Sequence, residues 1–130
     1  MNTGRMLEAV ADRDAKPPVL VVEDEILIRI MIADELRDLG LAVIECGDAD
    51  EALQVLQSGI RVSLVFTDVK MPGTMDGVGL ANAIKREFPA LKVILTSAQI
   101  LPIGTHCDHF FSKPWDVPHV VRHIKSIVGI

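Results

Sequence analysis

Five short runs along the chain are apolar with little polar alternation: VLVV at 19–22, AVIEC at 42–46, VSLVFT at 62–67, KVILTS at 92–97 and HFFS at 109–112. Such runs suit strands covered on both faces, as in a parallel sheet, and parallel neighbours need crossover segments between them. The intervals supply these, because their apolar residues recur at helical spacing. In ILIRIMIADELRDLG, Ile28, Ile32, Leu36 and Leu39 share one face, Arg29, Asp34, Arg37 and Asp38 take the solvent side, and Gly40 is the stop. In DADEALQVLQSG, Asp48 followed three residues later by Glu51 has the form of a capping box, Leu53 and Leu56 make the stripe, and Gly59 ends it. A third helix spans about 77–88, with Leu80, Ile84 and Phe88 in line and Pro89 as terminator. The last helix follows Asp116, a predicted N-cap, and carries Val117, Val120, Val121, Ile124, Ile127 and Val128 on one side. Between the fourth and fifth strands, AQILPIGTHCD holds Pro102 and Gly104, which allow at most a short, broken helix.

This alternation predicts a single α/β domain over residues 19–130, built on a five-stranded parallel sheet, after a flexible leader, 1–18, with room for one helical turn at 6–11. A length of 130 residues and a mass of 14.2 kDa suit one domain with a real core. Charge narrows the picture further. A formal net charge of −5 gives no basic footprint, so direct nucleic-acid binding is not expected. No apolar stretch is long enough for a membrane span, and the first residues lack a signal peptide's apolar centre, which points to a cytoplasmic protein without a membrane partner. Cys46 and Cys107 read as small hydrophobes of a reducing compartment.

In an open parallel sheet, chemistry collects in the crevice beyond the carboxyl ends of the strands. There the first strand ends in Glu23-Asp24-Glu25, the third in Asp68, the fourth in Thr96-Ser97 and the fifth in Lys113-Pro114. Crowded carboxylates raise each other's pKa unless a cation joins them. A donor set of oxygens alone selects Mg²⁺ or Mn²⁺. A divalent cation beside an ammonium and a hydroxyl is the environment of phosphoryl transfer, and a carboxylate can be its nucleophile. Asp68 alone would read as a turn cap, the usual role of Asp before Pro-Gly. Its convergence with four other polar groups from different strands favours chemistry. His119 with His123, and His106 with His109, have metal-like spacing but no acids or thiolates placed to complete a site, and read as ordinary histidines.

The combination of VVEDE, FTDVKMPG, Ser97-Ala98 and SKPW, in this order over residues 19–129, resembles the receiver domain of bacterial two-component response regulators. The resemblance implies a CheY-like, doubly wound sheet of strand order 2-1-3-4-5 with helices on both faces. It implies that Asp68 is the phosphoacceptor, Asp24 a direct Mg²⁺ ligand, Glu23 the acid that holds a metal-bound water, and Lys70 the residue whose backbone carbonyl binds the metal. It further implies that Ser97 and Lys113 contact the phosphoryl group, that Phe110 is the aromatic switch, and that the Lys113–Pro114 bond is cis. The implied partners are a histidine kinase or histidine phosphotransfer protein and a downstream protein target, with the receiver a monomer or a phosphorylation-dependent dimer.

Two departures from the common family form stand out. MPGTMDG carries one residue more, which lengthens the loop after Asp68, and the interval from Ser97 to Lys113 is shorter, which makes the fourth helix of the family short or irregular. Since the sequence closes just after the last helix, a stand-alone signalling module without enzymatic turnover of its own is expected, beyond self-phosphorylation and slow autodephosphorylation. The alternative is a receiver cut from a hybrid kinase or larger regulator. An aspartate-nucleophile phosphatase is disfavoured because Lys70 stands where such enzymes place a second acid.

Overall fold

The structure is a computed structural model and describes residues 16–130. The leader's helical turn expected at 6–11 lies outside the described residues. Strands β1 (Val19–Val22), β2 (Val43–Cys46), β3 (Leu64–Asp68), β4 (Val93–Ser97) and β5 (His109–Ser112) form one parallel sheet of order β2-β1-β3-β4-β5. Helices α1 (Ile26–Asp38), α2 (Ala49–Gln57), α3 (Gly77–Glu87) and α4 (Val117–Val128) connect and cover it. The doubly wound fold is therefore the one the sequence implied. Its strands lie within two residues of the expected starts, and β3 runs one residue further, to include Asp68 itself.

The sheet's alternating side chains feed two cores. Val19, Val21, Phe66, Ile94 and Phe111 pack with α1 and α4, while Leu20, Val22, Val65 and Leu95 pack with α2 and α3. Because β1, β3 and β4 are buried at every position, their register is fixed from both sides.

Three helices start on an aspartate that accepts a backbone N–H: Asp48 from Glu51 at 2.8 Å, Asp76 from Gly79 at 2.9 Å and Asp116 from His119 at 3.1 Å. The Glu51 side chain reaches back to the Gly47 N–H at 2.9 Å, which completes the box read from the sequence. Helix α1 is the exception. Its N-cap, Glu25, makes no side-chain cap, and the Glu25 N–H instead donates to Glu23 Oε2 at 3.1 Å. The start of α1 is thus tied to the acid cluster.

The sequence placed Leu39 on the buried face of the first helix; it is the C-cap residue and 37% exposed, because the helix ends before another turn can bring it inward. Between β4 and β5 no helix forms among the described residues. Turns around Pro102 and Gly104 take its place, and Ile100 and Ile103 stand fully in solvent. His109, His119 and His123 gather around Phe111 where α4 packs on the edge strand β5, with the His109 and His123 rings 3.9 Å apart. Among the described residues, no helix is long and apolar enough to cross a membrane.

Candidate functional site

The β1–β3 pairing sets Val22 beside Thr67, so the chain leaves β1 into Glu23-Asp24 alongside the end of β3. This brings one carboxylate oxygen each of Glu23, Asp24 and Asp68 within 4.8 Å of one another. Glu23 and Asp68 are buried and Asp24 is exposed, so the cluster opens to solvent on the side of Asp24. Burial, and secondarily the charge of Asp68, raises the Glu23 pKa to about 7, against the opposing pull of the Glu25 N–H and Lys113. The sequence foresaw the like-charge repulsion; the larger cause is desolvation, which follows from the burial of Glu23 in the fold.

Each oxygen of Asp68 has its own neighbour. Oδ1 accepts the Val69 N–H at 2.9 Å, and Oδ2 lies 3.1 Å from Lys113 Nζ. Lys113 also stands 3.9 Å from Glu23 Oε1 and follows β5 directly, its N–H donating to the Ser97 carbonyl at 2.9 Å. Its peptide with Pro114 is cis. Ser97 ends β4 one position past Thr96, the register partner of Asp68, and its Oγ accepts the Gln99 N–H at 2.9 Å. Phe110 is half-buried beside Leu95, on the α2–α3 side of the sheet. Lys70 is exposed, two residues past Asp68 in the β3–α3 loop. The expected residues from β1, β3, β4 and β5 therefore all reach the same end of the sheet.

Other supporting residues were not evident in the sequence. Arg29, assigned to the solvent side of the first helix, is half-buried, donates from Nη1 to the Glu23 carbonyl at 2.9 Å and pairs with Glu45 at 3.4 Å. It braces the backbone of the acid cluster. Gly77, the first residue of α3, touches the main chain of Asp68 so closely that a Cβ there would overlap the Asp68 carbonyl oxygen. The inserted Thr74 hydrogen-bonds Asp50 of α2 with both its amide and its hydroxyl. Trp115 packs edge-on against Phe66 at 5.8 Å and, with Ile28, Met31, Pro114 and Val117, lines an open apolar groove of about 350 Å³ beside Lys113.

A doubly wound sheet with an acid triad, a hydroxyl and an ammonium at its carboxyl end is the layout of a phosphoacceptor module. The response regulator receiver domain family matches residues 19–125, and the chain belongs to that family. It is a receiver domain of two-component systems, and no observation favours a phosphatase. The transcriptional regulatory protein PdtaR of Mycobacterium tuberculosis is 39% identical over 95 residues, which cover 71% of this chain and 45% of PdtaR. The sensor kinase CckA of Brucella abortus is 29% identical over 132 residues, 95% of this chain and 14% of the kinase. The chain thus spans less than half the length of either relative. Among solved structures, the response regulator TrrA of Thermotoga maritima, in complex with Mg²⁺-BeF, superposes with a TM-score of 0.75 at 27% identity, covering 85% of this chain and 98% of TrrA.

Proposed function

We propose that Asp68 accepts a phosphoryl group from the phosphohistidine of a histidine kinase or histidine phosphotransfer protein, and that residues 19–130 form the receiver that performs this step. The observation that carries the reading is the setting of the Asp68 carboxylate. It is buried at a strand end, aligned by the Val69 N–H, paired with Lys113, and within 4.8 Å of two further acids.

The donor set fits a hard divalent cation, because it consists of oxygens alone and three carboxylates share the cluster with a single ammonium, Lys113. Glu23, Asp24, Asp68 and the Lys70 carbonyl would hold Mg²⁺ or Mn²⁺, which when bound neutralises charge on the phosphoryl oxygens. An Asp68 oxygen forms the new P–O bond as the P–N bond of the donor breaks, and the electron pair leaves on the imidazole nitrogen. Lys113 stabilises the charge that develops on the transferred oxygens.

The product adds about 1.5 to 2 negative charges at Asp68. Lys113 and the Ser97 hydroxyl, released from its Gln99 contact, turn to the new oxygens, and Phe110 follows into the space that Ser97 leaves. To act as a full switch, this must favour one state by about 5.5 kcal/mol. The phosphodonor docks on α1, whose Ile26, Leu27, Ile30 and Met31 are exposed next to the groove at Trp115. Similarity to CckA supports a second reading of the context, a receiver carried within a larger kinase.

Incubation with Mg²⁺ and acetyl phosphate, followed by intact-mass measurement, tests the proposal. A phosphoryl adduct is expected on the wild type and not on Asp68→Asn. No adduct on either, or an adduct that survives the substitution, overturns it.

A further inference from the structure

The structure assigns the inserted Thr74, with Asp50, the role of a positioning pair: a clasp that sets the loop carrying Lys70 and so tunes cation affinity at the acid triad. The inference rests on the reading of that triad as a divalent-cation site.

The loop from Lys70 to Asp76 leaves β3 at Asp68 and enters α3 at Gly77. Its base is closed by the Gly77 N–H, which donates to the Val69 carbonyl at 2.8 Å. Its tip is closed by Asp50, in the first turn of α2. Asp50 Oδ1 accepts the Thr74 hydroxyl at 2.7 Å, and Oδ2 accepts the Thr74 N–H at 3.1 Å, so both oxygens of one carboxylate are committed to one residue. Gly73 leaves room for this. Its φ of +106° lies in the left-handed region, and a Cβ there would come within 2.7 Å of Asp50 Oδ2.

The sheet order gives the clasp its meaning. The segments after β2 and after β3 flank the end of β1, where Glu23 and Asp24 stand, so a bond between them ties together the two sides of the acid crevice. Lys70 lies between the closed base and the closed tip, and its carbonyl inherits whatever freedom the tip allows. Met71 and Met75 pack on the α2–α3 core independently of Asp50, so opening the clasp loosens the loop without unfolding it. A loop shorter by one residue would lack the hydroxyl that reaches Oδ1. The insertion is thus the element that makes the tie.

The test is Mg²⁺ titration by calorimetry on the full chain, with no phosphodonor present, for wild type, Thr74→Val, Thr74→Ser, Asp50→Ala and the Asp50→Ala/Thr74→Val double variant. Thr74→Val changes no charge, and is expected to weaken Mg²⁺ binding about fivefold, the scale of one ordinary net hydrogen bond. Thr74→Ser should bind as the wild type does, and Thr74→Val should have no further effect in the Asp50→Ala background. Urea midpoints without Mg²⁺ should remain close to wild type for the Thr74 variants. Wild-type affinity in Thr74→Val, failure of Ser to rescue, or an undiminished effect of Thr74→Val without Asp50 overturns the clasp while leaving the cation site standing. No Mg²⁺ binding by the wild type itself overturns the cation site, and the clasp with it.

Discussion

Lys113 Nζ stands 3.1 Å from Asp68 Oδ2 and 3.9 Å from Glu23 Oε1, so one ammonium from the end of β5 serves two buried acids from the ends of β3 and β1. Removing it leaves two desolvated carboxylates facing each other. We expect Lys113→Ala to destabilise the metal-free protein by about 2 kcal/mol in urea unfolding. Saturating Mg²⁺ should recover most of that loss, since a cation replaces the missing positive charge. An equal deficit with and without Mg²⁺ would contradict this account.

Glu23 gives a pH dependence of definite sign. Its folded pKa is raised from 4.5 to about 7, chiefly by burial. Below pH 4.5 the acid is protonated in both states; between 4.5 and 7 the unfolded chain ionises while the folded one holds its proton. Unfolding of the metal-free protein should therefore become easier as pH rises through that window, as far as this group is concerned. Glu23→Gln should flatten the trend, which thermal melts at half-unit steps of pH would show.

Gly77→Ala tests how closely α3 abuts the end of β3 at Asp68. A Cβ there would meet the Asp68 carbonyl oxygen and come within 2.8 Å of the Val69 Cα, both main-chain atoms that cannot rotate away. A loss of about 2 to 3 kcal/mol is expected, in the range of overpacked sites. The yield of acetyl-phosphate adduct should fall as well, because the displaced atoms belong to Asp68 itself. A variant as stable as wild type would show that the helix start can slide.

A substitution on the exposed apolar face of α1 tests the proposed docking apart from the chemistry. Leu27 is 83% exposed, and Leu27→Glu should change stability by no more than about 0.5 kcal/mol. Phosphorylation by acetyl phosphate should be unaffected. Transfer from a cognate phosphohistidine protein should slow at least about tenfold, the effect of losing one buried hydrophobic anchor at an interface. Equal slowing with both donors would place Leu27's effect in the site rather than in docking.

What the sequence made legible, and what it did not, divides along a physical line. The strands announced themselves as unalternating apolar runs, and Asp48, Asp76 and Asp116 act as caps, two of them read in advance from spacing alone. The strand-end acids, Ser97 and Lys113 could be collected because a parallel sheet delivers all its carboxyl ends to one side. Contacts made across the fold were invisible: Arg29 to Glu45, Gly77 against Asp68, and Thr74 to Asp50, which are 24 residues apart. Helical periodicity also misjudged Arg29, since a long guanidinium can turn from the solvent side toward a strand end. It likewise put Leu39 inside, one residue beyond the point where the helix stops.

The site is assembled from positions as distant as Glu23 and Lys113, one from the first strand's end and one from the last. No fragment of the domain can carry it, and a chain that has not docked β5 has no ammonium to offer Asp68. Any ligand of the crevice binds the complete fold alone, and so shifts the folding equilibrium of the whole domain by mass action. A mutation far from the crevice, in the Leu20 or Ile124 core, would then register in the cell as a quieter signal: fewer molecules fit to be phosphorylated, each with unaltered chemistry.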